Sequence, residues 1–152
     1  MEPNFFDHEY LIIDELSYRF NQPERGQVIV FRYPRNPQEY FIKRVVGLPG
    51  EKVMIKDGRV QIFNEANPDG FLLSENYLPS DTMTFPTTSI DAGEKVTVGD
   101  NEYYVLGDNR NASKDSREFG PVNKSFITGK VWLRGWPLDK LTVFGPDYWP
   151  QY

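Results

Sequence analysis

The 152-residue sequence contains no cysteine. Disulfides and thiolate-bound metals are excluded, while the redox compartment stays open. His8 is the sole histidine, so a histidine-rich metal site is excluded as well. No run approaches the roughly 20 apolar residues a transmembrane helix needs, and no secretory leader pattern opens the chain. Net charge is −5 and no Lys/Arg cluster interrupts the acidic balance, which argues against nucleic acid as a partner. Helical periodicity is scarce. Short candidates stand only near 15–20 and after Asn123, a residue type that caps helices. There are no repeats and no low-complexity tract.

What is present is β-patterned sequence broken by turn signals. Apolar residues at 39% with 12 Gly and 12 Pro indicate a globular, turn-rich chain rather than a disordered one. Its length favours one domain with room for an inserted lobe. Strand-like runs are Tyr10 to Leu16, Gln27 to Tyr33, Tyr40 to Val46, Glu102 to Leu106 and Lys130 to Trp136. From Val53 to Phe63, two such runs flank Asp57-Gly58, a strong hairpin signal. The expected class is mainly β: connected antiparallel sheets or a partly open barrel, with little helix. Residues 1–63 and 101–145 are assigned to the β core. Residues 64–100 are read as an inserted loop-rich lobe with short strands such as Lys95 to Val98. The tail, 146–152, holds prolines unsuited to a central strand and is expected to wrap the surface or fray.

Two segments carry chemistry. In Phe41-Ile42-Lys43-Arg44-Val45-Val46, strand alternation puts Phe41, Lys43 and Val45 on one face and Ile42, Arg44 and Val46 on the other. Both faces are largely apolar, so at least one cation is drawn inward. A lysine taken out of water loses its preference for the charged form and can act as a general base near neutral pH. Alone, a strand lysine is more often a solvated or snorkelling side chain. The second segment, 107–120 (GDNRNASKDSREFG), is dense in residues that bond their own backbone, with Asp and Arg spaced for an ion-pair lattice. Its alternatives are a well-bonded surface turn or a cation site of Asp108, Asn109 and Asp115, although the EF-hand pattern is not met.

Together these segments resemble bacterial signal peptidase I. The resemblance rests on MEPN at the start, RGQVIVFRYP at 25–34, FIKRVVGLPGE at 41–51 and LGDNRNASKDSREFGPV at 106–122, with ELSYRF at 15–20. It spans most of the chain outside the middle lobe. It implies a serine endopeptidase that removes signal peptides from secreted preproteins with a serine–lysine dyad. Lys43 matches the general base, and Ser113 a serine that orients its amine. Gly107 matches a glycine leaving room beside that amine. Asp115 and Arg117, with Arg44 and Asp108, match charged residues bracing the site. Phe41 and Ile42 match the strand that pairs with the extended substrate, and Met1 and Pro3 belong to the family's Ser-Met-x-Pro motif. The serine of that motif would stand immediately before Met1, so the chain as written is expected to be inactive. No metal or organic cofactor is implied. The implied partners are signal peptides and a membrane surface, on the extracytoplasmic face of the bacterial cytoplasmic membrane. Candidate walls for the small-residue pockets are Ile42 and the stretch from Phe5 to Ile13.

Trp132, Trp136, Tyr148 and Trp149 are candidates for the lipid interface, with core packing favoured for Trp132 and Trp136 because they lie in strand-like runs. Two other functions fit parts of the pattern: a non-catalytic peptide-binding relative, and a self-cleaving repressor-type serine–lysine protease domain. The long polar loop argues against the latter.

Overall fold

The computed structural model describes residues 1–87, 93–145 and 148–150. Parts of the inserted lobe (88–92) and of the tail (146–147 and 151–152) lie outside the described residues. Two antiparallel sheets, not closed into a barrel, make up the fold. The larger contains β1 (Tyr10–Asp14), β2 (Val28–Tyr33), β3 (Asn36–Gly47), β8 (Glu102–Leu106), β9 (Val122–Asn123), β10 (Ile127–Trp136) and β11 (Thr142–Val143). Its order is β1-β10-β2-β3-β8-β9, with β11 paired to β10. The smaller has the order β6-β5-β4-β7, from β4 (Lys52–Lys56), β5 (Arg59–Asn64), β6 (Asn67–Leu72) and β7 (Val96–Thr97). Among the described residues, helix is confined to single turns, including α1 (Ser116–Phe119) and 3₁₀ turns at Ser17–Arg19 and Lys124–Phe126. The Asn123 side chain accepts a hydrogen bond from Ser125 N at the last of these, as its residue type suggested.

The Asp57-Gly58 hairpin forms in the expected register, Lys56 opposite Arg59. Both turn residues have positive φ, 52° and 76°, the conformation that a two-residue loop needs to match strand twist. The hairpin pairs with β6 and β7, so the division between sheets falls after Gly47 rather than after Phe63. The reason lies in its alternation. Val53, Ile55, Val60 and Ile62 form one inward face, which packs with Leu73, Val98, Tyr104 and Leu106.

A second cluster, with Ile29, Phe31, Val45, Tyr103, Val105 and Val122, covers the Phe41 face of β3. A third joins Phe5, Val28, Val131, Phe144 and Trp149 to Met1, Leu11, Ile13 and Ile42. It corrects the reading of the tail and the tryptophans. Trp149 is 5% exposed and belongs to the core, whereas Trp132 and Trp136 are 46% and 49% exposed. Alternation on β10 explains the exchange: Val131 takes the inward position beside Trp132 and is completely buried. The chain then returns along β11 and delivers Phe144 against Phe5, with Trp149 stacked on Phe144 at 5.6 Å between centroids.

Candidate active site

Lys43 and Arg44 sit on β3 where the strand changes partners. Residues 36–44 pair with β2, but β8 joins only at Arg44–Gly47. Among the described residues, the segment 36–43 has a strand on one side and an open edge on the other. Lys43 lies at the inner end of that edge.

Burial dominates the chemistry of Lys43. It pushes the amine below the ordinary lysine range, against the opposing pull of Asp115 and Asp108. Nζ donates to Ile42 O at 2.9 Å and stands 5.3 Å from the Phe41 ring centre. The first residue of the chain reaches the same place. The half-buried Met1 amine is pushed down by burial and then by the charge of Lys43. Asp108 N donates to Met1 Sδ at 3.4 Å.

Ser113 and Gly107 meet beside this lysine. A Cβ on Gly107 would fall 2.0 Å from Ser113 Oγ and 3.6 Å from Lys43 Cδ. The room that the glycine leaves is therefore filled by the serine. Ser113 Oγ is buried and has no hydrogen-bond partner among the described residues, while the lysine amine is engaged with Ile42 O. Ser113 lies beside the Lys43 side chain but is not bonded to its amine. Gly107→Ala must displace Ser113, because a 2.0 Å approach is far inside van der Waals contact. In the protein with serine before Met1, we expect an activity loss of about tenfold or more, since a misplacement of about 1 Å can cost about 10²-fold. Initial-rate kinetics alongside a melting curve will check this, and an unchanged rate would remove Gly107 from the site.

The charged residues form two buried units. Arg44 grips Asp108 with two bonds, Nε to Oδ1 at 2.9 Å and an Nη to Oδ2 at 2.6 Å, and donates to Gly26 O at 2.8 Å. Tyr77 covers its guanidinium at 4.0 Å. Asp115 caps α1 by accepting from Arg117 N, binds the Arg117 guanidinium through both oxygens, and accepts from Gly107 N at 3.0 Å. Both carboxylates anticipated as cation ligands are thus taken up by guanidinium groups. Arg117 reaches on to Phe85 O and Arg110 O.

Sequence reasoning missed five members of this lattice: Arg110, Glu75, Thr84, Asn4 and Tyr77. Arg110 Nε donates to Gly107 O at 3.1 Å, and its far end is held by Glu75 and by Thr84 Oγ1. Asn4 bridges Asp108 and the Tyr77 carbonyl. Arg110 lay in a segment already singled out. Asn4 closes the MEPN segment, which was singled out only for Met1 and Pro3, whereas Glu75, Tyr77 and Thr84 sit in a stretch without periodicity and nothing local marks them. Pro3 is exposed, and Ile42, Leu11 and Ile13 each pack against the buried cluster that contains Phe5.

The chain is similar to known proteins. The crystal structure of a signal peptidase I from Enterococcus faecalis V583 is similar, with a TM-score of 0.57 and 33% identity, covering 73% of this chain and 97% of that one. Signal peptidase I of Leptolyngbya laminosa is 41% identical across 100% of this chain and 71% of its own length. A probable signal peptidase I-2 from Synechocystis is 36% identical across 97% of this chain, which spans only 64% of that relative. The profile described as "Signal peptidase, peptidase S26" matches residues 1–136, and the chain belongs to that family.

Proposed function

We propose that this chain is the catalytic part of a serine endopeptidase that removes signal peptides from preproteins. Lys43 is its general base, and the nucleophile is a serine joined to Met1 N. The observation that carries this reading is the meeting of a dried lysine with the first residue at one end of an open β edge. A residue bonded to Met1 N would have its hydroxyl beside a lysine amine that burial keeps toward its neutral form, the form able to accept a proton. The serine oxygen would attack the scissile carbonyl as its proton passes to Nζ. Lys43 would then return that proton to the leaving amine. Ser113 and Gly107 shape the lysine pocket, and the two arginine–aspartate pairs hold the loop around it.

The substrate would lie extended along 36–43 by β-augmentation, with main-chain bonds supplying affinity and side-chain pockets supplying choice. Ile42, Leu11 and Ile13, packed against the cluster that contains Phe5, would form walls that favour small residues before the cut. Exposed Tyr10, Ile12, Trp132 and Trp136 on the paired strands β1 and β10, followed by Leu138, Leu141 and Val143, support a membrane-facing surface.

The test is cleavage of a membrane-tethered preprotein by the anchored protein carrying serine before Met1. Replacing alanine by leucine at the first position before the cut should slow cleavage by about 10- to 200-fold. Indifference to that replacement, or no cleavage of any preprotein, overturns the reading.

A further inference from the structure

The site needs its first residues held beside Lys43, yet this segment has no regular secondary structure before β1. What holds it converges on Asn4. The side-chain amide donates to Asp108 Oδ2 and to Tyr77 O, both at 2.8 Å. The backbone carbonyl of Asn4 accepts from Arg134 at 2.5 Å. Arg134 is paired with Glu9 at 3.0 Å and lies over the Phe5 ring at 5.2 Å. The amides of Asn4 and Phe5 both donate back to Met1 O, closing a turn. One residue therefore joins four parts of the chain: the opening turn, the loop after β6, the loop after β8, and β10.

The chemistry of the contact to Asp108 is specific. Both Asp108 oxygens are already engaged by Arg44, and the carboxylate is almost completely shielded from water. A buried carboxylate accepts a neutral amide donor readily but would repel an acidic side chain at the same spot. The same aspartate offers its backbone N–H to Met1 Sδ. Asp108 thus contacts the opening segment at two points, Asn4 and Met1, which bracket the turn.

We propose that Asn4 is a positioning residue for the reaction: its side-chain amide pins the opening turn to Asp108 and the Tyr77 carbonyl, and so fixes where Met1 N meets Lys43. The proposal rests on the serine–lysine reading above. It assigns no contact with substrate to Asn4. Loosening the amide should therefore act on the chemical step, while the β3 edge that takes the peptide is untouched.

The test uses the anchored protein with serine before Met1 and a tethered preprotein. Asn4→Ala should lower kcat by about 10- to 100-fold, as expected for a displaced nucleophile, with KM within about threefold. Amide exchange should accelerate at Asn4 and Phe5 and stay at parental rates in β3 and β8. On an Asp108→Asn background the same change should cost less than it does in the parent, because the two side chains share a contact. Asn4→Ser repeats the measurement should the alanine variant fail to accumulate. Parental kcat in Asn4→Ala beside an inactive Lys43→Ala overturns the positioning role and leaves the dyad standing. Parental cleavage by Lys43→Ala overturns the dyad itself. Exchange that rises throughout the sheets marks Asn4 as a stabilising residue only and likewise overturns the proposal.

Discussion

In the anchored protein with its serine in place, Lys43→Ala should lower kcat for preprotein cleavage by about 10²–10⁴-fold, the contribution of a positioned general base. Lys43→Arg should be as inactive, because a guanidinium keeps its proton at any working pH. The pH profile tests the same assignment. Burial lowers the Lys43 pKa, and Asp115 and Asp108 only partly oppose it. The reactive form is the neutral amine. Activity should therefore rise with pH along an acidic limb lying below the ordinary lysine value, and fall away as the amine is protonated.

Stability follows the same sign. Between the lowered folded pKa and the ordinary unfolded one, the unfolded chain binds more protons at Lys43, so stability rises with pH across that window. Below the folded value, the full cost of a charged buried amine is present. Lys43→Met should consequently melt higher than the parent at acidic pH, with the gain shrinking as pH climbs toward the unfolded value. Thermal midpoints across the pH range will check this. A gain that does not depend on pH, or an acidic limb at the ordinary lysine value, would show that Lys43 is solvated and not the base.

The legible part of this protein was its strands. Val53 to Phe63 declares itself through alternation around Asp57-Gly58, and Glu102 to Leu106 is a run of β-forming residues closed by glycine. Local pattern failed where apolar residues occupy both faces of a strand, because the choice between faces belongs to the neighbouring elements. Trp132 and Val131 compete for one interior, and the returning tail with Phe144 and Trp149 decides in favour of the smaller residue. Lys43, Ser113 and Gly107 were found through family motifs, and no periodicity would have paired them. The loop from 73 to 87 was read as insertion, yet Glu75, Tyr77 and Thr84 hold Arg110 and Asn4. Contacts of this kind join positions 26 to 73 residues apart and leave no trace in any short window.

The largest expected loss of stability is at Asp115. This carboxylate is fully buried and accepts from Arg117 N, from two guanidinium nitrogens of Arg117 at 2.8 Å, and from Gly107 N. Asp115→Ala strands a buried cation, a backbone donor and the first turn of α1 together. Breaking a buried ion pair from one side costs about 3–5 kcal/mol. For a chain of this size the melting temperature should drop by about 6–20 °C. The companion variant separates charge from packing. Asp115→Ala with Arg117→Met removes the stranded cation and should recover part of the loss, because an apolar side chain of similar length needs no counterion. The remainder measures Gly107 N and the cap. Asp115→Asn keeps the shape and should lose less than alanine. It should also move the acidic limb of activity further down, since the anion that raises the Lys43 pKa is gone. A single variant thus links the ion-pair lattice to the base. Should Asp115→Asn shift the limb upward, or Arg117→Met deepen the loss of Asp115→Ala, the lattice would not act on Lys43 in the way its geometry requires.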